Sequence, residues 1–309
     1  MQTLEGLKRR IKTTVSLKDI VSSMKTLSAV SVGQYEKSTR ALRQYSENIE
    51  MALLALIRGR SIPPIVRENF QEKIVAIILG SDQGLVGKFN KSVANYAVDF
   101  FKQNNIDTKN VDFIVGGKSL SSKILSLGYD INTLFTMPSS VKAMITVAKK
   151  IVFKLNEIQQ KQQNGDNDFS FSNMQLKVYI FYNSKDEHSS IVQNRIQLLP
   201  VDMNFLKKLS KRKWPTKNIP IYANRTRRTL FSMFMQQLLF VNIYRAIAQS
   251  LAAEHFTRMM SMQNAEKNID EHLEAMNLEY QQRRQTEITN ELLDVVIGAE
   301  VLNTKKKSA

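Results

Sequence analysis

From Arg225 to Leu302 the chain contains no proline and a single glycine, Gly298, and its apolar residues recur at alternating steps of three and four. Met262, Ala265, Ile269, Leu273, Met276 and Tyr280 form one run, which Ile288, Leu292, Val295, Ala299 and Leu302 continue. This is the narrow seam of a helix that winds around another helix, rather than the broad stripe of one lying on a core. At 1.5 Å of rise per residue, about 75 helical residues span on the order of 110 Å. A partner stands at the other end of the sequence. Met1 to Ile57 has no proline and only Gly6 and Gly33. Its apolar positions run Leu4, Leu7, Ile11, Val15, Ile20, Met24 and Leu27, then Ala41, Tyr45, Ile49, Leu53 and Leu56. Two such segments at opposite termini need a domain between them that returns the chain, which predicts an antiparallel pair. The competing reading is two ordinary bundle helices, but those rarely run beyond about 25 residues.

The middle of the chain reads as that returning domain. Lys73 to Leu79 and Val111 to Gly116 are short β-rich runs ending at glycine, and Leu176 to Tyr182 alternates as a third strand. Helical stretches lie between them, at Lys88 to Asn104, Ser119 to Leu127 and Val141 to Gln162, and the polar segment Gln159 to Asp168 reads as an exposed loop. Strands alternating with helices predict an α/β domain with a mostly parallel sheet. The expected fold class is therefore α/β, with a long antiparallel coiled coil of the N- and C-terminal helices. The boundaries drawn are residues 1–60 for the N-terminal shaft helix, 61–204 for the α/β foot, and 205–309 for a basic connector and the C-terminal shaft helix.

Composition narrows the chemistry. With no cysteine among 309 residues, disulfides, thiolate metal sites and thiol nucleophiles are all excluded. His188, His255 and His272 are scattered, which predicts no metal cluster. No run of about twenty apolar residues is available to span a bilayer. Nor does an apolar signal core follow the early basic residues, so export is not expected. The net charge of +16 is concentrated in two places. Residues 1–60 carry eleven Lys/Arg against five Asp/Glu, and residues 201–228 carry nine basic residues against Asp202 alone. Such clusters point either to an acidic partner or to a solvated basic face.

The segment Gly80 to Asn90, GSDQGLVGKFN, stands between a predicted strand and a predicted helix, where a phosphate loop would sit. A phosphate loop needs two glycines with four residues between them, followed by Lys and Ser/Thr. Here Gly80 is seven positions before Gly87, Phe89 stands where the hydroxyl belongs, and no GxGxxG is present. Gly84 and Gly87 are expected to serve a tight turn packed against the shaft. No cofactor, metal or catalytic residue is predicted.

Four segments together carry a family resemblance: LKRRIKTTVSLKDIVSSMKTLSAVSV, SDQGLVGKFN, AAEHFTRMMSMQNAEKNID and RRQTEITNELLDVVIGAEVL. In order and spacing they resemble the γ subunits of F-type ATP synthases, across essentially the whole chain. SSMKTLSAVS followed by Gln34-Tyr35, and SDQGL in place of the commoner SDRGL, look like the alternative branch often associated with sodium-translocating enzymes. The sequence departs from the family where Lys211 to Pro220 is basic rather than acidic. It also departs where Ala29 to Val32 lacks a basic residue and where Val86 replaces a common cysteine.

The resemblance implies a central rotor shaft, itself non-catalytic, that couples rotation of the membrane ion-translocating ring to ATP synthesis or hydrolysis at the β subunits. It implies α and β subunits, an ε subunit and the membrane c-ring as partners, with no nucleic acid. Membrane association would be indirect, at the cytoplasmic face of the inner membrane. Carried over position by position, Met24 with Lys18 and Lys25 matches the region passing the β subunits' levers. Arg284, Gln285, Thr289 and Glu291 match a polar catch for a β loop. Arg258 matches the family arginine within HFTRM. Two readings from other classes stand beside this one. One is a basic coiled-coil scaffold for nucleic acid or an acidic partner, which lacks a stacking motif. The other is an α/β enzyme with helical appendages, which lacks a catalytic constellation.

Overall fold

A computed structural model describes residues 3–58, 73–162, 176–214 and 226–307, with backbone alone for 161–162 and 298–307. Two compact units emerge, one formed by Met1–Leu27 with Met259–Ala309 and the other by Ser28–Arg258. Helices α1 (Leu4–Ile57) and α6 (Arg227–Lys307) each contribute residues to both. Both helices begin within a few residues of the sequence expectation, because nothing in either stretch breaks the backbone hydrogen-bond ladder.

The larger unit is a layered α/β domain. In chain order come β1 (Lys73–Leu79), α2 (Phe89–Gln103), β2 (Val111–Gly116), α3 (Lys118–Ser126), β3 (Thr133–Phe135), α4 (Val141–Gln162), β4 (Leu176–Lys185), β5 (Ile191–Leu199) and α5 (Met203–Ser210). The sheet order is β3-β2-β1-β4-β5, parallel except for the antiparallel β4–β5 pair. Alternation along β1 decides which layer each side chain joins. Val75, Ile77 and Leu79 pack with Leu53, Ile57, Met144, Ile151, Leu239 and Ile243, from α1, α4 and α6. Ala76 and Ile78 face the other way, onto Val93, Ala97 and Phe101 of α2 and Leu120 and Ile124 of α3. The sheet is thus covered on both faces, which its continuous apolar strands require.

The first two strands stand where the sequence puts them, and the third runs three residues further, to Lys185. Strand β3 has only three residues, too few for a periodic signal. Strand β5 reads as polar because it lies at a sheet edge, where Val192, Arg195 and Gln197 are exposed. Its Arg195 lies over the Phe100 ring at 4.0 Å. The loop expected from Gln159 does not start there. Helix α4 runs on to Gln162 with Ile158 and Gln159 buried, since its apolar stripe through Ile151 and Leu155 extends another turn. Residues 163–168 lie outside the described residues.

In the smaller unit, the expected seam on α6 is present from Met262 to Tyr280, each of its members buried or half-buried. Beyond it Ile288, Leu292 and Val295 are exposed at 47%, 62% and 69%. On α1 the expected seam positions Leu4, Leu7, Ile11 and Met24 are buried or half-buried, but Val15, Ile20 and Leu27 are not. Leu4, Leu7, Ile11, Thr14, Lys18, Val21 and Lys25 make a buried and half-buried line at alternating three-four spacing, flanked by half-buried Ser22 and Met24, while Val15, Ile20 and Leu27 point outward. Apolar identity alone misplaced three positions and missed Thr14, Lys18 and Lys25. Lysine side chains serve at a helix seam because their methylene stems pack while their ammonium groups find carboxylates.

Candidate functional site

The pairing of α1 and α6 in the smaller unit is fixed by charge as well as by packing. Lys18 Nζ lies 2.6 Å from Asp270 Oδ1, and Lys25 Nζ bonds Glu266 one helical turn away on α6. Residues 18 and 25 are one heptad apart, and 266 and 270 are i,i+4 neighbours, so antiparallel helices match both pairs in one register only. The hydrogen bond from Lys25 holds Glu266 below the ordinary carboxylate value. The hydrogen bond to Asp270 raises Lys18 above its ordinary value.

Turning outward from that seam, Leu17, Ile20, Met24 and Leu27 form a second stripe, again with steps of three and four. Leu17, Ile20 and Leu27 are 50%, 56% and 69% exposed, and Met24 is half-buried at the stripe's edge. Further along α6, Arg284, Gln285, Thr289 and Glu291 are all exposed, interleaved with exposed Ile288, Leu292, Leu293, Val295, Val296 and Ile297. Neighbouring Arg283 is half-buried and paired with Glu279 at 2.6 Å. Contiguous exposed apolar surface of this kind marks a place where another molecule sits.

Arg258 does not belong to this surface. It is 5% exposed and its Nη2 bonds Glu254 Oε1 at 2.7 Å, one turn back on α6. Its guanidinium is buried inside the larger unit, so in the chain by itself it is not presented at the surface as the other expected contact residues of α6 are. Around it, His255 stacks on Tyr35 with ring centroids 5.4 Å apart. Burial pushes Glu254 up to about 7, against the pull of Arg258, and drives His255 down to about 4. Ser250 Oγ, Glu254 Oε2, His255 Nδ1 and Arg258 Nε are buried without hydrogen-bond partners. Only the HFTRM motif flagged this cluster in the sequence, because burial of the 250–258 face depends on what α1 and the sheet bring against it.

The loop after β1 is closed by the protein's own bonds. Asn90 Oδ1 accepts from the Ser81 N–H at 3.0 Å and its amide donates to Ser81 Oγ at 2.8 Å. Asp82 accepts from the N–H of Lys118 at 3.0 Å and of Met137 at 2.8 Å. Asp82 thus ties the loop to the start of α3 and to the segment after β3, and Asn90 ties it to the first turn of α2. Gly87 takes a left-handed φ of 53°, as a tight turn needs, and flanking Val86 and Phe89 pack on Ala253 of α6. A Cβ at Gly84 would meet nothing within 4 Å, so that glycine is not required by packing. Among the described residues no cluster of His, Cys, Asp and Glu is arranged to hold a metal ion.

A family profile described as ATP synthase matches residues 3–302. The chain belongs to the ATP synthase family. Its curated relatives are ATP synthase gamma chains. It is similar to that of Granulibacter bethesdensis, 27% identical over 309 residues, covering 98% of this chain and 100% of the relative. It is also similar to that of Bdellovibrio bacteriovorus, 23% identical over 306 residues, with 98% and 99% covered. Among solved structures, the fold matches a chain of the Euglena gracilis mitochondrial ATP synthase rotor with a TM-score of 0.62 at 13% identity, covering 92% of this chain and 98% of that one. A chain from a second Euglena gracilis structure, which holds OSCP, F1 and the c-ring, gives 0.61 at 14% identity, with 98% and 96% covered. The chain is a gamma-type, central-stalk subunit of an F-type ATP synthase, and catalysis is not among its own tasks.

Proposed function

We propose that this subunit turns within a ring of alpha and beta subunits, with its α/β foot on the epsilon subunit and the membrane c-ring. In this reading residues 1–60 and 205–309 supply the shaft with its basic connector, and residues 61–204 supply the foot. The observation that carries it is the outward apolar stripe Leu17, Ile20, Met24 and Leu27 together with the exposed stretch Ile288–Ile297. Such surface is costly to leave in water at ~25 cal/mol per Å2, and an enclosing ring covers it on all sides.

Coupling then follows from asymmetry. Three beta sites that are equivalent in isolation become unequal when a rod with an irregular surface contacts each differently. Each rotor angle favours the conformation it contacts best, so turning the rod shifts the three populations in sequence. Arg284, with Gln285, Thr289 and Glu291, supplies directional contacts on an otherwise apolar stretch, since a guanidinium holds a carboxylate by two parallel bonds. Lys18, Met24 and Lys25 present the opposite helix to the beta subunits, although both lysines also hold the helix pair together. The subunit is peripheral to a membrane-bound complex, on the cytoplasmic face of the membrane, and reaches the bilayer through its partners. No described helix is long and apolar enough to cross a membrane.

Affinity purification of the tagged chain from its own cells tests the reading. Co-purification of alpha, beta and epsilon subunits with ATPase activity is expected. Recovery of nucleic acid with none of these subunits would favour the basic scaffold and overturn it.

A further inference from the structure

Rotor contacts leave the two basic clusters of the sequence unexplained, and the larger unit brings parts of both to one cavity. Its volume is about 430 Å3, and it is bounded by Arg40 and Arg43 of α1, Arg212 after α5, and Arg245 of α6. Two carboxylates share the lining, Glu47 and Glu50. Each is already taken, Glu47 by Arg43 at 3.3 Å and Glu50 by Arg212 at 3.4 Å. Arg245 donates to Asn242 Oδ1 at 3.2 Å, and neither it nor Arg40 has a carboxylate partner among the described residues.

We propose that this cavity binds a phosphate group. Four guanidiniums against two carboxylates leave a local excess of two positive charges, which a phosphate dianion neutralises. Guanidinium forks match phosphate oxygens with paired bonds, and phosphate offers enough oxygens to meet forks arriving from three separate elements. The volume lies within the range of small-ligand sites, about 300–1,000 Å3, and arginines supplied by three separate elements around one concavity suit a compact anion better than an extended acidic peptide. The site is separate from the outward apolar stripes and does not depend on their role. Arg40 and Arg43 come from the first basic cluster and Arg212 from the second, so a phosphate ligand also gives those clusters a purpose. A free phosphate and a lipid headgroup phosphate present the same chemistry to the arginines.

The test uses the full-length chain at low ionic strength, where screening is weakest. Inorganic phosphate is titrated by calorimetry, and vesicles of phosphatidylcholine with phosphatidylglycerol are tested by flotation. Saturable phosphate binding is expected, weakened by about tenfold or more in Arg40→Gln with Arg245→Gln, since charge-assisted bonds are lost. Arg9→Gln with Lys12→Gln, outside the cavity, should leave it unchanged. Vesicle binding lost in the same double variant would assign the phosphate to a lipid headgroup, and phosphate binding without vesicle binding to a free anion. Should the double variant fail to fold, Arg40→Gln alone, at an exposed position, carries the comparison. Saturable binding of neither probe, or binding indifferent to these arginines, would overturn the proposal. Capture of an acidic protein with neither probe bound would overturn it equally.

Discussion

Lys18 Nζ stands 2.6 Å from Asp270 Oδ1, and the two residues come from opposite ends of the sequence. Together with the Lys25–Glu266 pair, one heptad along α1 and one turn along α6, this contact selects a single register for the helix pair. Lys18→Asp should lower the melting temperature of the isolated chain by placing two carboxylates together. Adding Asp270→Lys should restore most of the loss, because the reversed pair has the same geometry. Thermal unfolding of both variants checks this, and salt should shrink the effect.

Only part of this arrangement was legible in the sequence. The α6 seam from Met262 to Tyr280 was readable because apolar identity and burial coincide there. On α1 they separate: Thr14, Lys18 and Lys25 face the partner helix while Val15, Ile20 and Leu27 face out. A periodicity rule assigns apolar residues inward and cannot know that a second molecule claims the outward face. The same reasoning explains Arg258, whose motif was visible but whose burial depends on long-range packing. Strand β5 was hidden by its edge position, and β3 by its length.

The two halves of the α6 seam should respond differently to charge. Leu273→Asp puts a carboxylate against α1 and should destabilise the isolated chain by ~2 kcal/mol, as buried unpaired charges do. Leu292 is 62% exposed, so Leu292→Asp should leave the isolated chain's melting temperature unchanged while impairing assembly with alpha and beta subunits. Comparing melting curves with native gels separates the two effects.

Within the foot, Gly80 and Gly84 make a matched pair. A Cβ at Gly80 would lie 2.5 Å from Leu120 Cβ and 2.6 Å from Asn90 Oδ1, whereas one at Gly84 meets nothing within 4 Å. Gly80→Ala should cost about 1–3 kcal/mol through overpacking. Gly84→Ala should be close to neutral. Denaturant unfolding of the two variants checks both.

His255 gives the larger unit a dependence on acid. Burial holds its folded value at about 4, below the ordinary 6.5. A folded state that resists protonation loses stability as pH falls from about 6.5 towards 4, with no penalty above that window. Glu254, raised to about 7, acts in the opposite sense: its contribution falls as pH rises from about 4.5 to 7. His255→Phe should therefore gain stability relative to wild type as pH drops from 7 to 5, read as the difference in melting temperature. A constant difference across that range would show that His255 titrates normally in the fold.

Removing the polar catch should separate turnover from assembly. Arg284→Ala with Gln285→Ala is expected to reduce ATPase rate several-fold with the complex intact on a native gel. Gln281→Ala with Gln282→Ala, also exposed, should matter much less. Equal effects from the two pairs would make this stretch a spacer.

The central claim is that the chain turns relative to the ring that encloses it. Because it has no cysteine, Ser126→Cys on the exposed end of α3 gives one unique attachment point for a bead. With the alpha–beta ring fixed to a surface and ATP supplied, the bead is expected to rotate in one direction, in three equivalent steps per turn. Sustained ATP hydrolysis by an assembled complex whose bead does not rotate would contradict the account.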